Sequence, residues 1–309
     1  MLERMTAPPR PRRIEWLLLG LALLLLGLSL GYLLFVSYRY IDQTERERLQ
    51  GQAGVIEHNL GRQIEAVDQA LRAAQAALAP ADAGRTGPAQ SRLLTVLHRS
   101  IPGVHTMAHV GADGTVIAAS RDDVIGMSRA ERPYFKRTQA PPDPSMLQVA
   151  EPYLDSRGVW VIALVRTLTG PAGEFAGVVE ASLEPAYFSV VVGPVLYTPD
   201  MRAALMHGNG RLFLNLPAND ATLGINADQP GSFFRRHRDS GAQASLLRGT
   251  ALAGEERMAA LRNLQRTDLR MDRPLVIAVS RDTAAVFGPW RRLAQIRGGL
   301  YALLVLAAC

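Results

Sequence analysis

Residues 16–36 constrain this chain more than any other segment, because they include 21 residues and no charged one. About 20 apolar residues, each rising about 1.5 Å along a helix, cross the hydrocarbon core of a bilayer. A buried helix of a soluble domain normally carries a polar stripe, and this segment has none. A cleavable signal is disfavoured, since the apolar run is long and no small-x-small cleavage site follows it. The sequence therefore predicts a transmembrane helix over residues 16–38.

The distribution of arginine predicts the orientation of this helix. Four arginines precede the apolar run, and the positive-inside bias puts residues 1–15 in the cytoplasm. We therefore expect residues 39–297 to be extracytoplasmic. Much of the net charge of +6 lies next to membrane segments, where lipid headgroups are the expected partner. No basic stripe with interleaved aromatic residues is present, so we expect no nucleic-acid partner.

The exported part offers few groups for covalent or metal chemistry. The single cysteine is Cys309, which excludes disulfides, a thiol nucleophile and a cysteine-based zinc site from that part. His105 and His109 have a metal-like spacing, but a local period of two puts them about 13 Å apart along a strand. No nucleophile-elbow sequence supports a catalytic triad. We expect no metal, no cofactor and no enzymatic activity in this chain.

Apolar residues recur three and four positions apart between Leu49 and Leu78, and Pro80 ends the pattern. This period predicts one long helix over residues 39–79, about 60 Å in length. Such a helix has two uses, which are packing on its own domain and pairing with its copy in a homodimer. We expect a homodimer through this helix.

From residue 104 the period changes to two. Residues 80–188 predict a hairpin at 104–120, a helix at 129–138 and strands at 148–153, 159–167 and 175–183, and residues 189–283 repeat this plan in a smaller form. The two hairpins resemble each other as copies of one unit. The predicted fold class is α+β, a long N-terminal helix followed by two tandem PAS-like antiparallel-sheet modules with flanking transmembrane helices.

The last residues predict a second approach to the membrane. We expect an exit helix over residues 284–297, followed by an uncharged run at 298–309. That run spans roughly 18 Å as a helix, which is too short for a bilayer of about 30 Å. We interpret it as the start of a second transmembrane helix in a sequence that is cut short. The arginines on its outer side oppose the positive-inside bias.

The order of these elements resembles the double Cache (dCache) sensor domain of bacterial receptors. The local match is Gly126-x5-Arg132-Pro-Tyr134-Phe135, which is similar to the Gly-x5-Arg-x-Tyr-Phe segment of that family, and residues 170–188 resemble its exit into the second module. The resemblance covers residues 39–290. It implies a bacterial inner-membrane receptor with a periplasmic ligand-binding module at 80–188. A histidine kinase, diguanylate cyclase or chemotaxis output would follow Cys309.

The resemblance also implies a ligand site in the membrane-distal module. Arg132 matches the carboxylate-binding arginine of family members that bind amino acids, and a planar carboxylate suits the two parallel donors of a guanidinium. Specificity for α-amino acids is in question because two family positions differ here. The implied ligand-binding residues are Arg132, Tyr134, Phe135, Tyr153, Asp155, and at the two differing positions Met127 (family Tyr) and Ser182 (family Asp).

Taken together, these features predict extracytoplasmic sensing of a small molecule, a carboxylate or amino-acid-like compound, in a membrane signalling receptor. Three alternatives stay open. Arg132 could pair with Glu131 or Asp155 at the surface while Tyr134 and Phe135 pack the core. The protein could be a membrane-tethered interaction scaffold without a small-molecule ligand. An exported hydrolase is the third.

Overall fold

The computed structural model describes residues 12–78, 87–264 and 269–308, with only the backbone for Arg12 and Arg13. Most of the segment expected in the cytoplasm, residues 1–11, lies outside the described residues. The chain forms two compact units. Residues 46–282 form one unit, and the segments up to Glu45 and from Thr283 form the other.

The first helix, α1, runs without interruption from Arg12 to Ala77. Membrane and exported segments were expected as two elements, but the backbone does not break where the side chains change from apolar to mixed. Within the described residues, α1 is the one helix long and apolar enough to cross a membrane. It pairs with the last helix, α6 (Thr283–Ala308), where the Tyr301 hydroxyl donates to the Leu23 carbonyl at 2.9 Å.

The apolar stripe of the second half of α1 packs on its own sheet unit. Leu49, Ile56, Leu60, Ile64 and Leu71 are completely buried, as a helix face at spacings of three and four should be when it covers a sheet. Any homodimer through residues 39–79 would therefore have to use the opposite, more polar face of the helix.

The distal module contains a six-stranded antiparallel sheet. Its strand order is β2-β1-β6-β5-β3, and β4 also pairs with β5. Its elements are α2 (Gly87–Ser100), β1 (Val104–Gly111), β2 (Val116–Ala119), a 3-10 turn (Asp122–Val124), α3 (Pro133–Gln139), β3 (Gln148–Val149), β4 (Tyr153–Leu154), β5 (Trp160–Thr169) and β6 (Phe175–Leu183).

The proximal module repeats the plan with five strands in the order β8-β7-β11-β10-β9. Its elements, with the connection into it, are α4 (Pro185–Val192), a 3-10 turn (Gly193–Val195), β7 (Arg202–His207), β8 (Leu212–Leu216), a 3-10 turn (Asp220–Thr222), α5 (Phe233–Asp239), β9 (Ala244–Thr250), β10 (Glu256–Leu264) and β11 (Leu275–Asp282). The predicted α+β fold of two tandem antiparallel-sheet modules after a long helix is confirmed.

Three local predictions differ from the structure. The helix expected at 129–138 begins only at Pro133, because Arg132 is extended and proline fixes the first helical position. The strand expected at 148–153 is two short strands, β3 and β4, with Pro152, which has no ladder N–H, between them. The stretch 184–197, which the sequence indicated only as a link between the two modules, contains the helix α4.

The internal repeat extends to matching hydrogen bonds. Gly126 and Gly224 both have φ near +80° (82° and 76°). Gly126 donates to the Val116 carbonyl at 2.9 Å, and Gly224 donates to the Leu212 carbonyl at 2.8 Å. Each glycine therefore leads the chain from its hairpin towards the helix that covers the sheet. The residues directly after the two glycines correspond, as far as Arg129 and Ala227.

Candidate functional site

Arg132 is the extended residue that precedes α3, and its side chain makes no capping hydrogen bond to the helix. Its guanidinium carbon lies 4.2 Å from the centre of the Tyr153 ring. Among the described residues no carboxylate forms an ion pair with this guanidinium. The two carboxylates considered as surface partners contact other groups, since Glu131 binds Lys136 at 2.6 Å and Asp155 binds His105 at 3.2 Å.

Two stacked tyrosines form one wall beside Arg132. The rings of Tyr134 and Tyr153 are 6.3 Å apart and nearly parallel. Burial, together with the negative charge of Glu180, raises the pKa of Tyr153 to about 12, although a hydrogen bond with the Ser182 side chain opposes this shift. Arg132, Tyr134, Tyr153 and Ser182, which the sequence proposed as site residues, therefore lie together.

Glu180 is the buried carboxylate of this site, and the sequence analysis missed it. The Tyr134 hydroxyl donates to one carboxylate oxygen at 2.5 Å, and Arg129 Nε donates to the other at 3.2 Å. Burial, followed by the charge of Glu180, raises the pKa of the Tyr134 hydroxyl. Glu180 is the one charged residue of β6 and lies two positions before Ser182, hence on the same face of the strand. That pattern could have identified it.

The charges at this site do not balance. Burial lowers the pKa of Arg129, but Glu180 opposes this effect and the net pKa lies above the ordinary value for arginine. Arg129 is therefore paired with Glu180, and Arg132 is an additional cation. With Glu180 ionised, the group formed by Arg129, Arg132 and Glu180 carries a net charge of about +1 near neutral pH.

Phe135 and Met127 belong to the core beneath the site. Phe135 is completely buried and meets Phe175 edge to face, with 5.6 Å between the ring centres. Met127 packs against the same apolar cluster. Phe135 anchors α3 in this core, and Met127 packs against the same core from the segment before the helix.

Asp155 lies in a different polar cluster. Its Oδ1 accepts the backbone N–H groups of Arg157 and Val159, each at 2.9 Å. Although burial raises its pKa, these bonds and the charges of His105 and Arg157 produce a net lowering. Its observed contacts are with this turn and His105.

The opposite end of α3 contacts the proximal module. Arg137 donates to the Val149 carbonyl at 3.3 Å and lies 3.7 Å from the Asp272 carboxylate. Asp272 in turn accepts the Val149 N–H at 2.7 Å, and His207 Nε2 is 3.3 Å from the Val149 carbonyl. One short helix therefore carries Arg132 at one end and a junction between the modules at the other.

Among the solved structures similar to this chain are extracellular and periplasmic domains of a histidine kinase and of chemoreceptors. An extracellular domain assigned to the histidine kinase rpHK1S-Z16 aligns with 80% of this chain and 97% of its own length, at 24% identity and a TM-score of 0.68. The periplasmic sensory domain of the Campylobacter jejuni chemoreceptor Tlp1 aligns with 81% and 99%, at 11% identity and a TM-score of 0.64.

A ligand-bound example is the ligand-binding domain of the Pseudomonas fluorescens chemoreceptor CtaA in complex with L-isoleucine. It aligns with 82% of this chain and 99% of its own length, at 17% identity and a TM-score of 0.59. No protein-family model and no curated protein matches the chain. The similarity confirms the double Cache-like fold.

Proposed function

We propose that this chain is the extracytoplasmic sensing region of a membrane signalling receptor, and that its distal module binds a small carboxylate at Arg132. The observation that carries this proposal is the half-buried guanidinium of Arg132, which has no carboxylate partner among the described residues and lies over Tyr153. A desolvated arginine beside aromatic rings is suited to a planar carboxylate, because it gives two parallel charge-assisted hydrogen bonds.

The charge of the site favours a net monoanion over a zwitterion. A monocarboxylate would neutralise the net charge of about +1, whereas a zwitterionic amino acid would leave it unchanged. Glu180 still has lone pairs on both oxygens, so an ammonium group could bind there, in competition with the positive charge of Arg129. The similar domains named with L-isoleucine and with GABA support a carboxylate-containing ligand, because both compounds have that group.

We propose that α3 transmits the signal from the ligand site to the junction between the two modules. A ligand that holds Arg132 acts on the helix whose other end, at Arg137, contacts Val149 and Asp272 of the junction. A ligand shifts the population of two states only by its difference in affinity for them. In the proximal module β11 ends at Asp282 and α6 begins at Thr283, so the chain passes directly from the sensing unit into the last helix.

The receptor we propose is anchored in the bacterial inner membrane by α1, with residues 1–15 in the cytoplasm and 39–297 in the periplasm. The last part of α6, from residue 298, enters the membrane as a second spanning segment, and the contact of Tyr301 with Leu23 of α1 supports this. We propose a homodimer, and an output of the histidine kinase, diguanylate cyclase or chemotaxis type beyond Cys309. The catalytic activity of such a receptor would reside in that output.

The test is calorimetric titration of the full chain in lipid nanodiscs with acetate, propionate, 4-aminobutyrate and L-isoleucine. At least one carboxylate should bind. Arg132→Ala should weaken its affinity by about 10- to 100-fold, as expected when one member of a half-buried charge pair is removed. Arg132→Lys should restore part of the loss, and Arg92→Ala, an exposed arginine on α2, should have no effect. Binding that is equal in wild type and Arg132→Ala would contradict the proposal. Absence of binding by all four compounds would favour the scaffold alternative.

A further inference from the structure

The proximal module contains an apolar cavity of about 330 Å³ between its sheet and α5. Its walls are mainly alanine, leucine, methionine and phenylalanine side chains, and the residues used below are Ala227, Phe233, Phe234, Ala278, Arg202 and Arg257. The Arg132 site lies in the other module, so the cavity is separate from it.

The cavity occupies the position that corresponds to the Arg132 site in the repeated plan. Arg129 donates its backbone N–H to the Gly114 carbonyl, and Ala227 donates to the Gly210 carbonyl, which makes Ala227 the counterpart of Arg129. On the sheet, Glu180 pairs with Ala108 of β1, and Ala278 pairs with Ala204 of β7. Since β1 and β7 are equivalent strands, Ala278 is the counterpart of Glu180.

At the positions that these correspondences identify, every charged or hydroxyl-bearing side chain of the distal site except Ser182 is replaced. Ala227 replaces Arg129, and Ala278 replaces Glu180. Phe233 and Phe234, the first two residues of α5, replace Pro133 and Tyr134, the first two residues of α3. The residue before α5 is Ser232, whose hydroxyl caps the helix by accepting the Arg235 N–H at 3.1 Å. These replacements remove large polar side chains, which leaves space with apolar walls.

The two arginines of the wall already bind protein acceptors, and they share one carboxylate, Glu255. Arg257 Nη1 donates to Glu255 at 2.8 Å, and its Nε donates to Ser280 at 3.0 Å. Its Nη2 donates to the Asp200 carbonyl at 2.5 Å. Arg202 donates to Glu255 at 2.8 Å. An anion would have to compete with these acceptors, whereas the remaining walls of the cavity are mainly apolar.

We infer that the proximal module binds an uncharged, apolar small molecule in this cavity, as a second ligand site. A cavity of about 150 Å³ with apolar walls can hold benzene, so about twice that volume corresponds to roughly 12 to 17 non-hydrogen atoms. The site does not depend on Arg132, and its ligand belongs to a different chemical class.

The test uses energy transfer from tryptophan to N-phenyl-1-naphthylamine, an uncharged apolar fluorophore. The chain has three tryptophans. Trp160 packs on Gly224, whose neighbour Ile225 lines the cavity, so Trp16→Phe with Trp290→Phe leaves a single donor beside the site. This full-length chain in nanodiscs should show saturable transfer that corresponds to one probe per chain.

Ala278→Leu and, separately, Ala227→Val fill the cavity and should weaken the saturable transfer by at least about tenfold. Ala244→Leu, an exposed position of β9, is the matched control and should retain it within about twofold. Unfolding midpoints and circular dichroism identify any variant that does not fold, and the other filling variant then gives the result. Transfer that never saturates, or saturable transfer that is equal in the filled variants and Ala244→Leu, would overturn the inference.

Discussion

Arg166 on β5 and Asp68 on α1 form a buried bidentate ion pair, with Nε–Oδ1 and Nη2–Oδ2 distances of 2.6 and 3.0 Å. Both side chains are almost completely shielded from solvent. Arg166 also donates to the Pro144 carbonyl at 2.9 Å. The pair fixes the long helix to the face of the distal sheet opposite the ligand site, because Arg166 alternates with the site-facing Val165 along the strand.

Asp68→Ala should lower the free energy of unfolding by about 3–5 kcal/mol, because it leaves the guanidinium buried without a counter-charge. The double variant Asp68→Leu with Arg166→Leu should recover most of that loss, since apolar replacements of both partners remove the uncompensated charge. Urea unfolding of the full chain in nanodiscs measures both. Glu131→Ala breaks the exposed pair with Lys136 and should cost less than about 1 kcal/mol. Equal losses for Asp68→Ala and Glu131→Ala would disprove the structural role of the buried pair.

Glu180→Gln should change the ligand preference of the distal module. The change raises the net charge at the site from about +1 to about +2, so a monocarboxylate should bind about three- to tenfold more tightly. Binding of an amine-containing carboxylate should gain less, because the counter-charge for its ammonium group is lost. Calorimetric titration with propionate and 4-aminobutyrate gives the ratio. Glu174→Gln, on the same hairpin and exposed, is the control, and an unchanged ratio in Glu180→Gln would remove Glu180 from the site.

The elements that the sequence predicted best are those fixed by periodicity. The spacing of Leu49, Ile56 and Leu60 predicted a helix with one buried face. The period of two predicted strands at 159–167 and 175–183, close to the observed β5 and β6. The boundary between the membrane and exported parts of α1 could not be found from helix signals. The environment of the side chains changes there, while the backbone geometry stays the same.

The site was only partly predictable for a related reason. Arg132, Tyr134 and Tyr153 lie in a recognisable local pattern, and the structure brings them together. Glu180 depends on which residues the sheet places opposite α3, and that pairing is a long-range property of the fold. Phe135 was expected in the site because the resemblance to the family segment implied a ligand-binding residue at that position. Successive helical residues point in directions about 100° apart, so Phe135 faces the core.

Gly126→Ala and Gly224→Ala should differ in cost, although the two glycines occupy equivalent backbone positions. Both have positive φ, which costs an L-residue roughly 1–2 kcal/mol. A Cβ at Gly126 meets open space, whereas a Cβ at Gly224 would overlap the Trp160 ring. Overpacking adds about 1–3 kcal/mol at Gly224, which denaturant unfolding can resolve. Trp160→Ala should remove that difference, and equal costs in the wild-type background would contradict the packing of Trp160 on Gly224.

Cysteine accessibility tests the orientation of the chain. Cys309 is the only cysteine, so Cys309→Ser provides a background without thiols. Ala172→Cys in that background lies on an exposed turn and should react with a membrane-impermeant maleimide in cells whose outer membrane is permeabilised. Ala7→Cys, on the side proposed as cytoplasmic, should react only after the inner membrane is opened. The reverse pattern would place the sheet modules in the cytosol and exclude an extracytoplasmic sensor.

Stability should fall as the pH decreases from about 7.5 to 5.5, because burial lowers the pKa of His109, His207 and His237. In the unfolded chain these histidines take up protons near pH 6.5, while the folded chain resists them. Their contribution to the free energy of unfolding is therefore complete above about pH 6.5, and it is lost as the pH falls towards their lower pKa values in the folded chain. Each contributes a slope of at most about 1.4 kcal/mol per pH unit.

Asp272 acts in the opposite direction, since burial raises its pKa despite the Val149 N–H and the charge of Arg137. The contribution of Asp272 to the free energy of unfolding is complete below about pH 4 and is lost as the pH rises through its pKa in the folded chain. The effect of the histidines is therefore best measured at the upper end of the pH range. Urea unfolding at pH 7.5, 6.5 and 5.5 gives the slope. His237→Gln should reduce it by up to about one third, because one of three buried histidines is removed, whereas His58→Gln, an exposed change on α1, is the control. A slope that His237→Gln leaves unchanged would show that this histidine is not held neutral by the fold.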